Sequence, residues 1–163
     1  MRKIIGIGET ILDILFKNNQ AATSVPGGST FNSMISLGRV GVPSCFLSEI
    51  GDDKVGKIVR TFLIDNGVDD RYLTEYPECK SPISLAFLDD HNNATYSFYK
   101  DSFGKRSDWE CPKIGRDDII LFGSYYALTP DMRYKVTALL EEARSAGAII
   151  YYDVNFRRNH AGE

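Results

Sequence analysis

The chain has 163 residues, 43% hydrophobic and 25% charged, enough to bury one core of ordinary size. A formal charge of −3, with 22 acidic against 19 basic residues, argues against a polyanion-binding surface and so against nucleic acid as a partner. No stretch is apolar for long enough to span a bilayer. Three widely spaced cysteines (Cys45, Cys79, Cys111) and two histidines (His91, His160) match neither a zinc site nor a disulfide framework, so the expectation is reduced thiols in a cytoplasmic protein.

The opening run MRKIIGIGETILDILF has the basic start of a signal peptide, but Glu9 and Asp13 interrupt it and no small-residue cleavage site follows. It reads as the first strand of a folded domain, with KIIGIG ended by glycine and ETILDILF extended. The pair Gly27-Gly28 precedes a helix from about Ser29 to Val40, whose packing side is Phe31, Met34, Ile35, Leu37 and Gly38; Gly41 and Pro43 stop it. SCFLSEI is a buried strand. Gly51, Asp52 and Asp53 turn the chain into a second helix, with Val55, Ile58, Val59, Phe62 and Leu63 in one stripe and Asn66-Gly67 at its end.

The middle of the chain changes character. SPISLAFLDD and ATYSFYKDS flank the polar HNN, the pattern of an antiparallel hairpin set on the α/β core. DIILFGS returns to a buried strand, and a long helix follows with Thr129 as N-cap, Pro130 at its first position and Gly147 as C-cap. AIIYYDVNF is the last strand. Strands alternating with amphipathic helices specify a mainly parallel sheet, and a final strand this apolar needs helices on both faces. None follows it in RRNHAGE, so the expectation is the front part of a longer domain.

Several constellations carry chemistry. GIGETI lacks the third glycine of a dinucleotide fingerprint, since Ile11 stands there, and no Walker A loop occurs. Asp13 is either an exposed carboxylate or a group that accepts hydrogen bonds from neighbouring hydroxyls of a polyol. Gly27-Gly28 is either a turn with a Ser or Thr N-cap, or a place where a ligand lies against bare backbone and meets the Asn32 amide, which both donates and accepts. That loop holds neither Lys nor Arg, which favours a neutral polar ligand over phosphate. Asp153, Asn155 and Arg157 at spacing two would share one face of a continuing strand, as an anion or sugar site or as a charged terminus. Asp52-Asp53 reads as a turn and helix cap. Tyr96, Phe98 and Tyr99 read as hairpin packing, with Lys100, Lys105 and Arg106 on a solvated face.

Together these pieces resemble the ribokinase-like carbohydrate kinases of the PfkB family, along the whole chain and in the family's order. GETILDIL resembles its first-strand motif with the substrate-binding Asp. GGSTFNSMISLGRVG followed by IGDDKVG resembles its N-terminal signature, SPISLAFLDDHNNATYSFYKD its lid, and YYDVNFR its D-x-N-x-R strand. GE before the Asp, FYKD and the D-x-N-x-R ending are most similar to fructokinases. The resemblance implies an α/β ribokinase-like fold: a mainly parallel sheet flanked by helices, with a small β-sheet lid at about 12–25 and 80–106, residues 1–163 being its N-terminal portion. Asp13, Gly27, Gly28, Asn32 and the lid's Tyr99 would line the sugar pocket, with Asn155 and Arg157 near the phosphoryl path or a polar end of the substrate. ATP and Mg²⁺ would be cofactors, and the lid could pair two subunits. The family's catalytic Asp in a G-A-G-D motif, its Mg-organising Asn/Glu motif and most of its adenine pocket would lie beyond Glu163, leaving this chain without a catalytic residue and inactive alone. Two alternatives stand beside a fructokinase-like acceptor: a 2-keto-3-deoxygluconate or nucleoside kinase, and a non-catalytic sugar-binding or dimerisation module.

Overall fold

The computed structural model describes residues 2–91, 93–101 and 110–156. A five-stranded parallel sheet is built from β1 (Ile4–Ile7), β4 (Ser44–Gly51), β5 (Leu73–Tyr76), β8 (Ile119–Gly123) and β9 (Ile149–Asp153), in the order β5-β4-β1-β8-β9. Strand alternation assigns its two faces. Ile5, Ile7, Cys45, Leu47, Ile120 and Phe122 pack with Met132, Val136, Leu139 and Ala143 of α3 (Pro130–Ala146). Phe46, Ile50 and the partly buried Ile4 and Leu121 pack on the other side, with Phe31, Met34 and Ile35 of α1 (Ser29–Arg39) and Val59 and Leu63 of α2 (Lys54–Asp65). The core is therefore a three-layer α/β/α arrangement.

The helix ends follow their sequence signals except at the starts of α1 and α3. Gly41, at φ 77°, follows α1; the Asp53 carboxylate accepts from the Gly56 N–H at 2.8 Å and caps α2; Gly147, left-handed at φ 79°, closes α3. Thr129 holds the N-cap position of α3 but makes no cap bond, because its hydroxyl donates to the Tyr126 carbonyl at 2.9 Å. That carbonyl belongs to a single 3-10 turn, Tyr126–Leu128, which immediately precedes the helix.

A second, four-stranded sheet has the order β3-β2-β6-β7, from β2 (Ile11–Lys17), β3 (Gln20–Gly27), β6 (Ile83–Leu88) and β7 (Ala94–Tyr99). The expected hairpin is β6–β7, antiparallel from Ile83↔Tyr99 to Leu88↔Ala94. The second hairpin, β2–β3, turns on Asn18 and Asn19, at φ 52° and 60°, which is the positive-φ pair of a type I′ turn. β2 and β6 run parallel and join the two hairpins. Lys105 and Arg106, in the last part of the expected lid, lie outside the described residues.

β9 is the edge strand beyond β8; its four apolar residues are each at least 40% exposed, and Asp153 is exposed as well. The strand ends at Asp153 rather than running on through Phe156.

Candidate functional site

The chain leaves the core sheet at Ile7 and enters the small sheet at Ile11, which places Asp13 on β2 and not in a loop at the end of β1. Asp13 pairs with Val25 of β3 on one side and Ser84 of β6 on the other. The fully buried Ser84 donates its hydroxyl to Asp13 Oδ1. Its other oxygen lies beside Gly27, where an added Cβ would come within 2.9 Å of Asp13 Oδ2. One residue on, Gly28 sits at φ 136°, and a Cβ there would be 2.4 Å from the Glu9 carbonyl oxygen. The two glycines thus serve different needs. Gly27 leaves room for a carboxylate, and Gly28 adopts a backbone that side chains oppose.

Gly28 is also the N-cap residue of α1. Ser29 and Thr30 lie inside the helix, so the first turn has no side-chain cap, contrary to the Ser or Thr cap considered from sequence. Asn32 donates its backbone N–H to the Gly28 carbonyl at 3.0 Å and carries its amide exposed on that first turn. The structure therefore brings Asp13, Gly27, Gly28 and the Asn32-bearing turn together. A half-buried carboxylate with one oxygen anchored, bare glycine backbone and a two-way amide suit a ligand rich in neutral hydroxyls.

The remaining expected site residues fall elsewhere. Ile83 pairs with both Tyr99 and Leu12, while Ser84 pairs with both Phe98 and Asp13. Paired residues share a sheet face, so Tyr99 projects from the face opposite Asp13 and Phe98 from the same one. Asn155 does not continue the strand with Asp153: it sits at φ 36° and its N–H donates to Asp153 Oδ1 at 3.0 Å, closing a turn. The shared face expected for these two residues is therefore not formed, and Arg157 lies outside the described residues. Asp52 and Asp53 are structural: Asp52 pairs with Lys57 at 3.3 Å, and Asp53, besides capping α2, accepts from the Ser81 N–H at 2.8 Å.

Two groups escaped sequence reasoning. Ser84 is one; a lone hydroxyl inside the apolar run ISLAFL was its signal. Glu49 is the other, a charge in the middle of the buried strand SCFLSEI. It projects to the α3 face, accepts from the hydroxyls of Tyr126 (3.3 Å) and Tyr76 (3.4 Å), and lies 3.6 Å from Lys135 Nζ. Burial raises its pKa above the usual carboxylate range, against the opposing pull of Lys135 and the tyrosine hydroxyls. Burial, reinforced by the Glu49 charge, likewise keeps Tyr126 protonated far above the ordinary phenol range.

Residues 1–160 match the pfkB family carbohydrate kinase. The chain belongs to that family. Its similarity to the fructokinase of Rhizobium leguminosarum bv. trifolii is 29% identity over 164 residues, covering 94% of this chain and 48% of that protein. Among solved structures, apo fructokinase from Vibrio cholerae O395 superposes with a TM-score of 0.84 at 20% identity, over 100% of this chain and 57% of the other. Aminoimidazole riboside kinase from Salmonella enterica, complexed with aminoimidazole riboside and an ATP analogue, superposes at 0.80 and 23% identity, over 97% and 52%. The chain spans about half the length of the curated relatives it matches. These structural likenesses establish the ribokinase-like fold that the PfkB motifs implied, a parallel sheet flanked by helices with a small second sheet.

Proposed function

We propose that this chain carries the acceptor-binding half of an ATP-dependent, fructokinase-like sugar kinase, which transfers the γ-phosphoryl group of ATP to a primary sugar hydroxyl. The observation that carries this reading is the Ser84–Asp13–Gly27 arrangement beside the uncapped start of α1, in a chain of the PfkB family. Asp13, fixed through Ser84, accepts hydrogen bonds from two sugar hydroxyls; Gly27 and Gly28 let the ring lie against backbone; Asn32 donates to one hydroxyl and accepts from another. The small sheet acts as a lid that excludes water from the reacting phosphoryl group. Names of relatives support the acceptor and the nucleotide, since they include fructokinases and a riboside kinase complexed with an ATP analogue.

Mg²⁺ belongs to the same reading, and its contribution when bound would be neutralising phosphate charge. The described residues include no group of three or more His, Cys, Asp or Glu side chains placed to hold a metal ion. Proton removal from the acceptor is assigned to the Asp of the family's G-A-G-D motif, which the 163 residues do not contain. The 163-residue chain therefore binds sugar without phosphorylating it, in a cytoplasmic setting that keeps its thiols reduced. Tyr96, Phe98 and Tyr99, each more than half exposed on β7, support pairing of two chains through the small sheet.

Isothermal titration with D-fructose, 2-keto-3-deoxygluconate and adenosine tests the acceptor class. Saturable binding of fructose that Asp13→Ala abolishes is the expected result. A folded chain that binds none of the three overturns the reading. A coupled assay should detect no sugar-dependent ADP from this chain, and turnover would contradict the assignment of the base to the G-A-G-D motif.

A further inference from the structure

Between the core sheet and the base of the small sheet lies a cavity of about 290 Å³. Its walls include Glu9, Thr10, Glu49, Pro82, Lys100 and Tyr126. Thr10 and Pro82 lie just ahead of the strands that carry Asp13 and Ser84, and the Leu12 N–H donates to the Pro82 carbonyl at 3.0 Å, fixing that base. Glu9, which lines the cavity, has its carbonyl oxygen against Gly28, so the cavity meets the acceptor wall at the start of α1. Over its rim, Lys100 at the end of β7 reaches Glu9 in the β1–β2 connection at 3.4 Å, tying the two sheets together.

Two lining groups are costly to the folded chain as they stand. Thr10 is 1% exposed, and its hydroxyl has no hydrogen-bond partner among the described residues. Threonine's shape is matched by valine, which would fill the same space without that penalty. Glu49 is 5% exposed, and its buried charge is held by Lys135, Tyr126 and Tyr76. A buried ion pair of this kind is weak as a stability device and strong as a fixed, oriented acceptor.

We propose that Thr10 and Glu49 are acceptor-contacting residues that take hydroxyl groups of the sugar at the floor of this cavity. The proposal rests on the sugar-kinase reading above and extends its contacts from the Asp13 wall to the core sheet. It also fixes the class of acceptor. Glu49 only accepts hydrogen bonds and Thr10 does both, so the bound portion must present hydroxyl donors. Glu9, Glu49, Asp101 and Asp131 line the cavity against Lys100, which Glu9 already engages, so a carboxylate-bearing sugar is repelled.

The test is titration of D-fructose and 2-keto-3-deoxygluconate into the 163-residue chain and its variants, with thermal melts alongside. Thr10→Val should weaken fructose binding about tenfold, the loss of one hydrogen bond, while the melting temperature holds or rises. A residue with only a structural role would not give that combination. The charge-balanced pair Glu49→Gln with Lys135→Met should weaken fructose binding and narrow the preference over the sugar acid. If the pair does not fold, Thr10→Val decides alone. Fructose affinity unchanged in Thr10→Val overturns this proposal and leaves the sugar-kinase reading intact, provided Asp13→Asn loses binding. An unmodified chain that binds neither sugar overturns both.

Discussion

Replacing Gly27 and Gly28 in turn by alanine should separate affinity from stability in two adjacent residues. At Gly27 the backbone is ordinary, and the methyl group would meet only Asp13 Oδ2, at 2.9 Å. That is about half an ångström inside van der Waals contact, and the atom in the way ends a rotatable side chain. Relief therefore costs the fold under about 1 kcal/mol but swings the carboxylate away from the position set by Ser84. Losing one charge-assisted hydrogen bond to a sugar hydroxyl corresponds to about 1.5–3 kcal/mol, or about 10- to 150-fold in Kd. At Gly28 the methyl group would stand 2.4 Å from a backbone oxygen on a residue at φ 136°. The conformation alone costs roughly 1–3 kcal/mol, and the β1–β2 connection must also shift. Calorimetric titration with D-fructose and urea unfolding of both variants read the two quantities. Gly27→Ala should lose affinity at nearly unchanged stability, and Gly28→Ala should lose stability. Equal loss of stability in both, with Gly27→Ala binding as the unmodified chain does, refutes the assignment of Gly27 as the space that positions Asp13.

Asp53→Ala should cost about 1–2 kcal/mol at pH 7 in urea unfolding, the range for a lost N-cap, since the carboxylate serves both Gly56 and Ser81. Although burial pushes the Asp53 carboxyl upward, hydrogen bonds from those two amides outweigh it and hold the pKa below the usual carboxylate range. Its contribution is thus present above the unfolded pKa of about 3.9 and lost as pH falls through the folded value; the variant's stability deficit should shrink on acidification. Glu49 has the opposite sign: its raised pKa makes folding more favourable as pH falls from above the folded value toward about 4.3. The Glu49→Gln, Lys135→Met pair should flatten that part of the pH–stability curve. Phe31→Ala, which removes a fully buried ring packed edge-on against Phe46 at 5.7 Å, should cost about 3–5 kcal/mol by the same assay.

Local signals in the chain located what local physics decides. The apolar stripes of α1 and α2, the cap at Asp53, and Pro130 and Gly147 around α3 each act within a few residues, and the structure has them where the sequence put them. The β6–β7 hairpin was legible for the same reason. Register across distant strands was not. That Asp13 meets Ser84 depends on a parallel pairing 71 residues apart, and Tyr99 turns away because that register sets its face. The Asn18-Asn19 turn was a weak cue without glycine, so β2–β3 was not paired from sequence. Competition explains the other departures: the Thr129 hydroxyl is taken by Tyr126, and the Asp153 carboxylate binds the Asn155 N–H and helps end the strand. The motif GGSTFN was legible as a unit, but the distinct tasks of its two glycines emerged only from what each would collide with.

The most direct test of the acceptor site is backbone amide mapping by NMR during titration of the isotope-labelled chain with D-fructose. The account predicts saturable shifts centred on Asp13, Gly27, Gly28 and Asn32, absent in Asp13→Asn. Shifts that leave those four amides in place while others move would contradict it.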